Sequence, residues 1–479
     1  MAVIRENGRM AYAFERTHRI AVLGGGPGGY EAALAGAQLG ADVTLIERTG
    51  VGGAAVLTDV VPSKSLIATA AAAESVRDAA ALGVRIGDGE TPTVSVDLAA
   101  VNRRLVALAR EQSEEITERL EKAGVRIIIG DGRIDGMSRR VLATAVADHT
   151  EIAIDVDTIV VATGARPREL PTAPLDGERI LSWKQLYTLD AVPEHLIVVG
   201  SGVTGAEFAS AYRAIGARVT LVSSRDRVLP GEDADAAAVI EEVFLRSGMT
   251  VLARSRAEKV DRVGDSVVVT LSDGRQVEGS HVLMAVGSLP NTEGIGLAEA
   301  GVQLTESGHV RVNRVASTSR PGIYAAGDCS DFMPLASVAA MQGRTAVFHA
   351  MGDAVIPTEL RNVTSNVFTQ PEVATVGWSQ KQIEEGAAQG QIVKVDLHEN
   401  PRAKMLGIND GFVKLFARTG SGTVIGGVVV APLASDLILP IAVAVQRRLT
   451  VDQLARTFAV YPSLSGSIQD AARSLHIVE

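Results

Sequence analysis

Two glycine motifs of identical spacing constrain the fold of this chain more than any other feature. Each follows a short apolar strand, opens a helix, and is followed by a second strand, predicted at 42–47 for the first motif and at 218–223 for the second. A strand, a glycine turn, a helix and a second strand form the βαβ unit that binds dinucleotides. The chain is therefore predicted to be an α/β protein with two Rossmann-like nucleotide-binding domains. The motif glycines are Gly24, Gly26 and Gly29, then Gly200, Gly202 and Gly205.

The residue types of the first motif explain how it would bind a dinucleotide. Gly24 permits a tight turn, Gly26 lets the backbone approach a pyrophosphate, and Gly29 allows close packing of helix on strand. The helix N-terminus adds N–H donors and the positive end of the helix dipole. Glu47 ends the next strand, where its carboxylate can accept hydrogen bonds from ribose hydroxyls. The first motif is therefore predicted to bind a dinucleotide.

The second motif differs where its second strand ends. That position carries Ser223, Ser224 and Arg225 in place of an acid. An acidic side chain there repels a 2′-phosphate, whereas serine and arginine can accept one. The sequence therefore predicts that NADPH is tolerated at this site. Gly205 as third glycine is more usual for NAD, so NADH stays open. The alternative for Arg225 and Arg227 is that both are solvated loop charges.

Length and charge narrow the class of protein further. A chain of 479 residues is too long for one hydrophobic core, and its net charge of −10 argues against nucleic acid as a partner. Residues 1–18 have no apolar run of signal-peptide length. The most apolar stretch, 426–445, contains two prolines and an aspartate, so we interpret it as a buried strand and a buried interface helix. A cytoplasmic protein without a transmembrane segment or a metal site is expected.

The order of the patterns predicts how the domains divide. A long amphipathic helix is predicted over 94–124 and a β-meander over 125–146, while residues from about 354 onward read as a separate α+β domain. The predicted parts are an N-terminal extension at 1–18, a first nucleotide-binding domain at 19–165 and 283–350, a second at 166–282, and a C-terminal domain at 351–479.

Three further segments identify a family when they are taken in order with the two motifs. They are Val-Val-Ala-Thr-Gly-Ala-Arg-Pro at 160–167, Gly-Ser-Leu-Pro-Asn at 287–291 and Gly-Ile-Tyr-Ala-Ala-Gly-Asp at 322–328. Over 19–474 the chain resembles the flavoprotein disulfide reductases, such as lipoamide dehydrogenase and glutathione reductase. The resemblance implies that the first motif holds FAD, that the second holds NAD(P)H, and that the C-terminal domain forms a two-fold homodimer.

The resemblance also implies the residues that contact each cofactor. Thr163 and Gly164 would lie near the flavin, and Asp328 would bind its ribityl chain; the alternative for Asp328 is a turn or helix-capping acid. The FAD set is Gly24, Gly26, Pro27, Gly28, Gly29, Glu47, Arg48, Gly52, Gly53, Lys64, Gly132, Thr163, Gly164, Asp328 and Ala336. The NAD(P)H set is Gly200, Gly202, Val203, Thr204, Gly205, Glu207, Ser223, Ser224, Arg225 and Gly287.

The thiol chemistry of that family is missing from this chain. The frame Gly52-Gly53…Pro62-Ser63-Lys64 is present, but Ala55 and Val60 stand at the two cysteine positions. Tyr461 and Gly466 replace the C-terminal histidine and glutamate that would supply the base. The one cysteine, Cys329, cannot form an intrachain disulfide and is interpreted as a small buried residue. A redox disulfide is therefore excluded.

Two nucleotide sites without a redox disulfide predict that electrons leave the flavin directly. The resemblance implies an ion pair between Lys64 and Glu207 beneath the flavin; the alternative is that the two side chains never meet. Ala55 and Val60 would leave an apolar slot suited to a flat quinone, with Tyr461 either bonding a quinone oxygen or serving only in packing. We predict an NAD(P)H:quinone oxidoreductase. A soluble transhydrogenase and an inactive FAD-holding scaffold stay open as alternatives.

Overall fold

The computed structural model describes residues 2–6, 9–13, 17–86 and 94–476 of the chain. These residues divide into two compact units. The first contains Met1–Pro62, Val106–Arg166 and Ser288–Thr358, and the second contains Ser63–Leu105, Pro167–Gly287 and Glu359–Glu479. The boundaries expected from the sequence stay a prediction. Within the predicted extension, Ala2–Glu6 and Arg9–Ala13 pair as antiparallel strands, while residues 1, 7–8 and 14–16 lie outside the described part.

A seven-stranded sheet forms the centre of the first unit as described. Five parallel strands lie side by side and continue into an antiparallel meander. The meander was predicted over 125–146, and its last strand extends it to Asp155. The central strands are buried on both faces, which explains their continuous apolar sequences. In sheet order the strands are Ile323–Ala325, Thr158–Val161, Arg19–Leu23, Asp42–Glu47, Arg126–Ile134, Arg140–Ala145 and Glu151–Asp155.

Two helices of the first unit pack closely because each carries a glycine at their contact. The helices are Pro27–Gln38, which follows the first glycine motif, and Ala336–Ala350. A Cβ atom on Gly343 would lie only 2.0 Å from the carbonyl oxygen of Gly28. This spacing brings the backbone of the second helix against the dinucleotide turn.

The second unit contains the second nucleotide-binding sheet, whose five strands are all parallel. Helices Val203–Ala214 and Ala234–Arg246 alternate with its strands, as a βαβ unit requires. In sheet order the strands are Ile180–Leu181, His281–Met284, His195–Val199, Arg218–Val222 and Thr250–Leu252. Ala257–Val263, Ser266–Leu271 and Gln276–Gly279 form an antiparallel sheet, and the turn at Asp273-Gly274 joins its last two strands.

The C-terminal part of the second unit is built on a five-stranded antiparallel sheet. Its strands are Thr364–Val367, Glu372–Gly377, Val424–Ala431, Phe412–Arg418 and Gly390–Asp396 in sheet order. Lys414 on this sheet is almost fully buried, and its ammonium group bonds Asp233, Asp235 and Gln380 at 2.7–3.0 Å. Three acceptors satisfy all three N–H donors of the lysine, so its charge is fully paired.

The remaining helices and 3₁₀ turns lie in the connections between the strands of these sheets. The predicted long helix starts at Leu98, because the carboxylate of Asp97 caps it by accepting the Ala100 N–H at 2.9 Å. The helices and 3₁₀ turns are Gly53–Leu57, Val60–Asp78, Ala79–Leu82, Leu98–Lys122, Trp183–Thr188, Leu360–Asn362, Gln380–Glu384, Leu397–Glu399, Pro401–Leu406, Ala434–Leu437, Leu439–Arg447, Val451–Ala455 and Gly466–Ser474. Ala165–Pro167 and Ser288–Pro290 form a short strand pair.

The apolar stretch at 426–445 folds as expected, into a buried strand and a helix. Leu439–Arg447 buries Ile441, Ala442 and Ala444, while Leu439 and Val443 are exposed on the single chain. A different stretch, Gly53–Leu82, is long and apolar enough to cross a membrane. Core helices of soluble proteins also meet this criterion of length and composition. The helix over Gly53–Leu82 is interrupted at Thr58. The absence of a transmembrane segment therefore stays a prediction.

The predicted fold class, α/β with a C-terminal α+β part, is confirmed by the sheets described above.

Candidate active site

The glycines of the first motif are required by the closeness of the surrounding backbone. Gly24 has φ +100°, and a Cβ atom on it would lie 2.3 Å from the carbonyl oxygen of Ala162. A Cβ atom on Gly29 would lie 1.8 Å from the Gly24 oxygen, so helix and turn touch directly. Gly26 has no atom within 4 Å of its Cβ position, which leaves open space at the N-terminus of the helix that begins at Pro27. A pyrophosphate fits this space.

Glu47 is tied to the glycine turn while keeping acceptor capacity. It is buried, and its Oε2 accepts the Gly25 N–H at 2.5 Å while Oε1 accepts the Thr49 N–H at 2.8 Å. Oε1 also accepts the Thr49 hydroxyl at 3.1 Å and the Gly50 N–H at 3.4 Å. Oε2 accepts only the Gly25 N–H, so it keeps one lone-pair site for a ribose hydroxyl. Arg48, beside it, is exposed and pairs with Asp131.

Three further glycines of the FAD set serve packing around this turn. Gly52 donates its N–H to the Gly25 oxygen at 2.8 Å, and a Cβ atom on Gly53 would lie 2.8 Å from the Gly26 Cα. A Cβ atom on Gly132 would lie 2.6 Å from the Leu23 side chain. Larger residues would therefore displace the turn that faces the pyrophosphate space.

Thr163 and Gly164 are locked to Asn291, a residue of the Gly-Ser-Leu-Pro-Asn segment. The Thr163 hydroxyl donates to the Asn291 oxygen at 2.7 Å, and the Asn291 side chain donates to the Thr163 oxygen at 2.9 Å. The Asn291 N–H bonds the Gly164 oxygen, also at 2.9 Å. Two of the three segments quoted for the family resemblance are therefore hydrogen-bonded to each other. Asn291 belongs in the candidate site, although the segment containing it drew attention only as a pattern.

Asp328 is a partly buried carboxylate that has no hydrogen-bond partner among the described residues. Burial raises its pKa above the ordinary value, and only His309 opposes this. The helix after it begins at Ala336, so Asp328 does not cap a helix. The adjacent Gly327 N–H is held at 2.9 Å by the buried Gln342, which the sequence did not single out. An unsatisfied carboxylate suits a polyhydroxyl ligand such as the ribityl chain.

These residues of the first unit fit FAD. The open turn at Gly26, the acceptors of Glu47 and the unsatisfied Asp328 match a pyrophosphate, a ribose and a ribityl chain respectively. Each of these groups belongs to the cofactor that the sequence implied.

The three glycines of the second motif have the same close backbone contacts and the same open position as those of the first. Gly200 has φ +114°, with its Cβ position 2.1 Å from the Ala285 oxygen, and the Gly205 Cβ position is 1.8 Å from the Gly200 oxygen. Gly202 is again open, and Val203 and Thr204 start the helix. Gly287, with φ +94°, also has no atom within 4 Å of its Cβ position. This turn fits the pyrophosphate of NAD(P)H.

The residues expected to meet a 2′-phosphate differ in exposure. Ser223 is fully buried and shares a hydrogen bond of 2.6 Å with Ser201, whereas Ser224 and Arg225 are exposed. The Arg225 oxygen accepts the N–H of Arg254, a second exposed arginine that the sequence did not single out, at 2.7 Å. Arg227 bonds the carbonyl oxygens of Pro230 and Glu232, so it serves the loop.

Lys64 and Glu207 meet, which excludes the alternative that they lie apart. Lys64 Nζ lies 2.8 Å from Glu207 Oε2, and the side chain of Glu207 is only 5% exposed. The other oxygen, Oε1, accepts the Phe368 N–H at 2.9 Å, and Lys64 Nζ lies 4.9 Å from the centre of the Phe368 ring. Phe368 is far away in the sequence, and no local pattern marked it.

The positions that would carry a redox disulfide are apolar and partly buried. Ala55 lies in helix Gly53–Leu57, and Val60 is the first residue of the helix that carries Lys64. Cys329 is fully buried, and burial raises the pKa of its thiol, as expected of a packing residue. Tyr461 is 82% exposed on the single chain. Among the residues that the structure describes, no cluster could hold a metal ion.

Comparison with known proteins places the chain in a family. Residues 18–343 match the pyridine nucleotide-disulphide oxidoreductase family, and residues 363–472 match its dimerisation domain. A Mycobacterium tuberculosis protein named NAD(P)H dehydrogenase (quinone) is 52% identical over 95% of this chain and 94% of its own length. A Bacillus subtilis dihydrolipoyl dehydrogenase is 30% identical over 95% and 98% respectively.

A solved structure agrees with this placement. The crystal structure of LpdA from Mycobacterium tuberculosis, 52% identical, has a TM-score of 0.91 and covers 96% of this chain and 100% of its own. The glycine turns, the Glu47 acceptors and the unsatisfied Asp328 are the features that such a family needs for its cofactors. The chain belongs to the pyridine nucleotide-disulphide oxidoreductase family and is an oxidoreductase that uses FAD and NAD(P)H.

Proposed function

We propose that this enzyme is an NAD(P)H:quinone oxidoreductase that works without a redox disulfide. The observation that carries the proposal is the pair of apolar residues, Ala55 and Val60, at the positions where the family has its cysteines. A thiolate is needed for disulfide exchange, and neither side chain can form one. The 52% identical relative named NAD(P)H dehydrogenase (quinone) supports the same conclusion.

The reaction balances without an intermediate nucleophile. NAD(P)H, a proton and a quinone give NAD(P)⁺ and a hydroquinone, and bound FAD supplies the hydride acceptance and electron release that link the two half-reactions. The chain orients the nucleotides through its two glycine turns. Lys64, held by Glu207, supplies a positive charge that favours anionic reduced flavin. Ala55 and Val60 provide apolar surface for a flat acceptor.

We also propose a homodimer formed through the C-terminal domain. Residues 363–472 match a dimerisation domain, and the described part of this domain exposes large apolar side chains on the single chain. These include Leu433, Leu439, Phe458, Val460 and Tyr461. Exposed apolar surface of this kind marks an interaction site.

Anaerobic spectroscopy tests the electron path. NADPH or NADH should bleach the visible flavin absorbance without a long-wavelength thiolate–flavin band, and menadione should restore it. Lipoamide and oxidised glutathione should give no turnover. Failure of every quinone tried, combined with hydride exchange between NADPH and a thionicotinamide analogue of NAD⁺, would identify a transhydrogenase instead. Flavin that neither nucleotide bleaches would identify a scaffold.

A further inference from the structure

The two glycine motifs can be compared position by position because the first glycine of each makes the same backbone bond to its second strand. The Gly24 N–H bonds the Ile46 oxygen at 2.8 Å, and the Gly200 N–H bonds the Val222 oxygen at 2.9 Å. The residue after each first glycine is therefore equivalent, and so is the residue that ends each second strand. Gly25 corresponds to Ser201, and Glu47 corresponds to Ser223.

In the first motif, the residue that faces the acid is a glycine, and a side chain there would crowd the carboxylate. A Cβ atom on Gly25 would lie 3.1 Å from both Cγ and Oε2 of Glu47, which is tighter than ordinary van der Waals contact. In the second motif, the facing residue has a side chain. The hydroxyls of Ser201 and Ser223 lie 2.6 Å apart, and both residues are buried. The space that holds a carboxylate in the first motif is filled by two hydroxyls in the second.

The Ser223 hydroxyl also shapes the turn that follows it. It accepts the Arg225 N–H at 3.1 Å. Backbone bonds fix the same turn to the next strand: the Ser223 N–H bonds the Leu252 oxygen, and the Arg254 N–H bonds the Arg225 oxygen. Arg225 on this turn is exposed, and so is Arg254, which follows the next strand. The buried serine therefore holds the backbone that presents Arg225.

We propose that Ser201 and Ser223 act together as the specificity pair for NADPH. Ser201 crowds an acidic side chain at position 223, and its bond to Ser223 holds the turn from which Arg225 meets the 2′-phosphate. Ser223 is a positioning residue in this arrangement, and Arg225 is the residue that contacts the ligand. The inference rests on the proposed NAD(P)H-dependent function and adds to it a preference for NADPH. It also names Ser201 as the residue that must change together with Ser223 if the preference is to shift to NADH.

Equilibrium binding of NADP⁺ and NAD⁺ to the oxidised, FAD-loaded enzyme tests the pair by calorimetry. The wild type is expected to prefer NADP⁺. Ser223→Glu should weaken NADP⁺ binding by about 10- to 100-fold without improving NAD⁺ binding, because the Ser201 side chain obstructs the carboxylate. The double variant S201G/S223E should gain NAD⁺ affinity beyond either single variant, which is a non-additive result.

Arg225→Gln is the matched variant for the ligand contact. It should weaken NADP⁺ binding and leave NAD⁺ binding unchanged. If S223E does not fold, S201A and S223A, which add no volume, test the same bond; each should weaken NADP⁺ selectively. The proposal is overturned if S223E alone gains as much NAD⁺ affinity as the double variant. It is also overturned if R225Q binds NADP⁺ like the wild type. Neither measurement involves a quinone, so failure of this inference can be distinguished from failure of the proposal that a quinone is the electron acceptor.

Discussion

The ammonium group of Lys64 lies 2.8 Å from one carboxylate oxygen of Glu207, and the other oxygen of that carboxylate holds the backbone N–H of Phe368. Glu207 thus divides its two oxygens between a side chain and a distant loop. Because its side chain is nearly buried, both bonds are needed to offset the cost of removing the charge from water. The position of Lys64 is therefore fixed by a residue of Val203–Ala214, the helix that the second glycine motif opens.

Replacing Lys64 by methionine should make the bound flavin harder to reduce. The lysine charge favours anionic reduced flavin, so its loss should lower the midpoint potential. A loss of about 1.4 kcal/mol corresponds to about 30 mV for a two-electron couple. The potential is measured by anaerobic dye titration. Lys122→Met, which removes an exposed lysine paired with Glu118, is the control and should leave the potential unchanged. An unshifted potential in K64M would remove the flavin role of this lysine.

Replacing Phe368 by leucine should reproduce part of that effect. The ring lies 4.9 Å from Lys64 Nζ, and such a contact contributes about 0.5–2 kcal/mol. Leucine keeps the backbone N–H to Glu207 and removes the ring alone. Anaerobic stopped-flow reduction by NADPH should be slower and the flavin potential lower. Phe368→Tyr, which preserves the aromatic face, should behave like the wild type; equal loss in both variants would point to packing rather than to the ring.

The sequence predicted the fold well because the determinants of the two nucleotide-binding units are local. A glycine triplet between an apolar strand and an alanine-rich helix leaves few alternative backbones, and both turns have the expected geometry. The α+β character predicted from about residue 354 onward is visible in strands such as Phe412–Arg418, where Lys414 interrupts the apolar residues, and Val424–Ala431. The long helix was placed four residues too early, since Asp97 is the residue that caps it.

The residues that the sequence missed are those that act through distant contacts. Phe368 reaches Glu207 from a loop 161 positions away, and Asn291 reaches Thr163 across 128 positions. No periodicity or spacing encodes such pairs. The Ser201 side chain was overlooked for a different reason, because a motif pattern treats the residue between the glycines as free. Ser201 contacts Ser223 at the position where Gly25 contacts Glu47 in the first motif, and only the structure shows these contacts.

Enlarging Ala55 should obstruct the proposed acceptor slot. Ala55 is partly buried in helix Gly53–Leu57, and Ala54 beside it is exposed. Ala55→Phe should raise the KM for menadione by about 10-fold or more, because lost fit in an apolar pocket is commonly worth 1–3 kcal/mol. Ala54→Phe is the matched control and should leave that KM unchanged. If the two variants behave alike in steady-state assays, the quinone does not bind beside Ala55.

Replacing Tyr461 by phenylalanine removes the hydroxyl and keeps the ring, so it distinguishes a hydrogen-bonding role from a packing role. Tyr461→Phe should raise the KM for quinones by about 3- to 10-fold if the hydroxyl bonds a quinone oxygen across the dimer, since a neutral hydrogen bond contributes about 0.5–1.5 kcal/mol. Flavin bleaching by NADPH, measured anaerobically, should keep its rate. Tyr461→Ala should also weaken the dimer in sedimentation experiments, because the side chain is 82% exposed on the single chain. Wild-type KM values in the phenylalanine variant would assign the tyrosine to packing.

Two histidines of the second nucleotide-binding sheet should make the enzyme less stable in mild acid. Burial lowers the pKa of His195, assisted by Arg218, and lowers the pKa of His281 to about 4, assisted by Arg179. Below the ordinary value of about 6.5, the unfolded imidazoles bind protons that the folded ones do not. The free energy of unfolding should therefore fall as the pH drops from about 6.5 towards 4.

Urea unfolding followed by circular dichroism at several pH values measures this slope. His281→Asn should flatten it between pH 6.5 and 4, because the residue that titrates differently in the two states is gone. His195→Asn should flatten it as well, although the bond from His195 Nε2 to Thr220 at 2.8 Å will be lost and stability will fall at every pH. His476→Asn provides the control: this histidine is half-exposed beside Asp452, outside the sheet. A wild-type slope in both sheet variants would show that other groups govern the acid response.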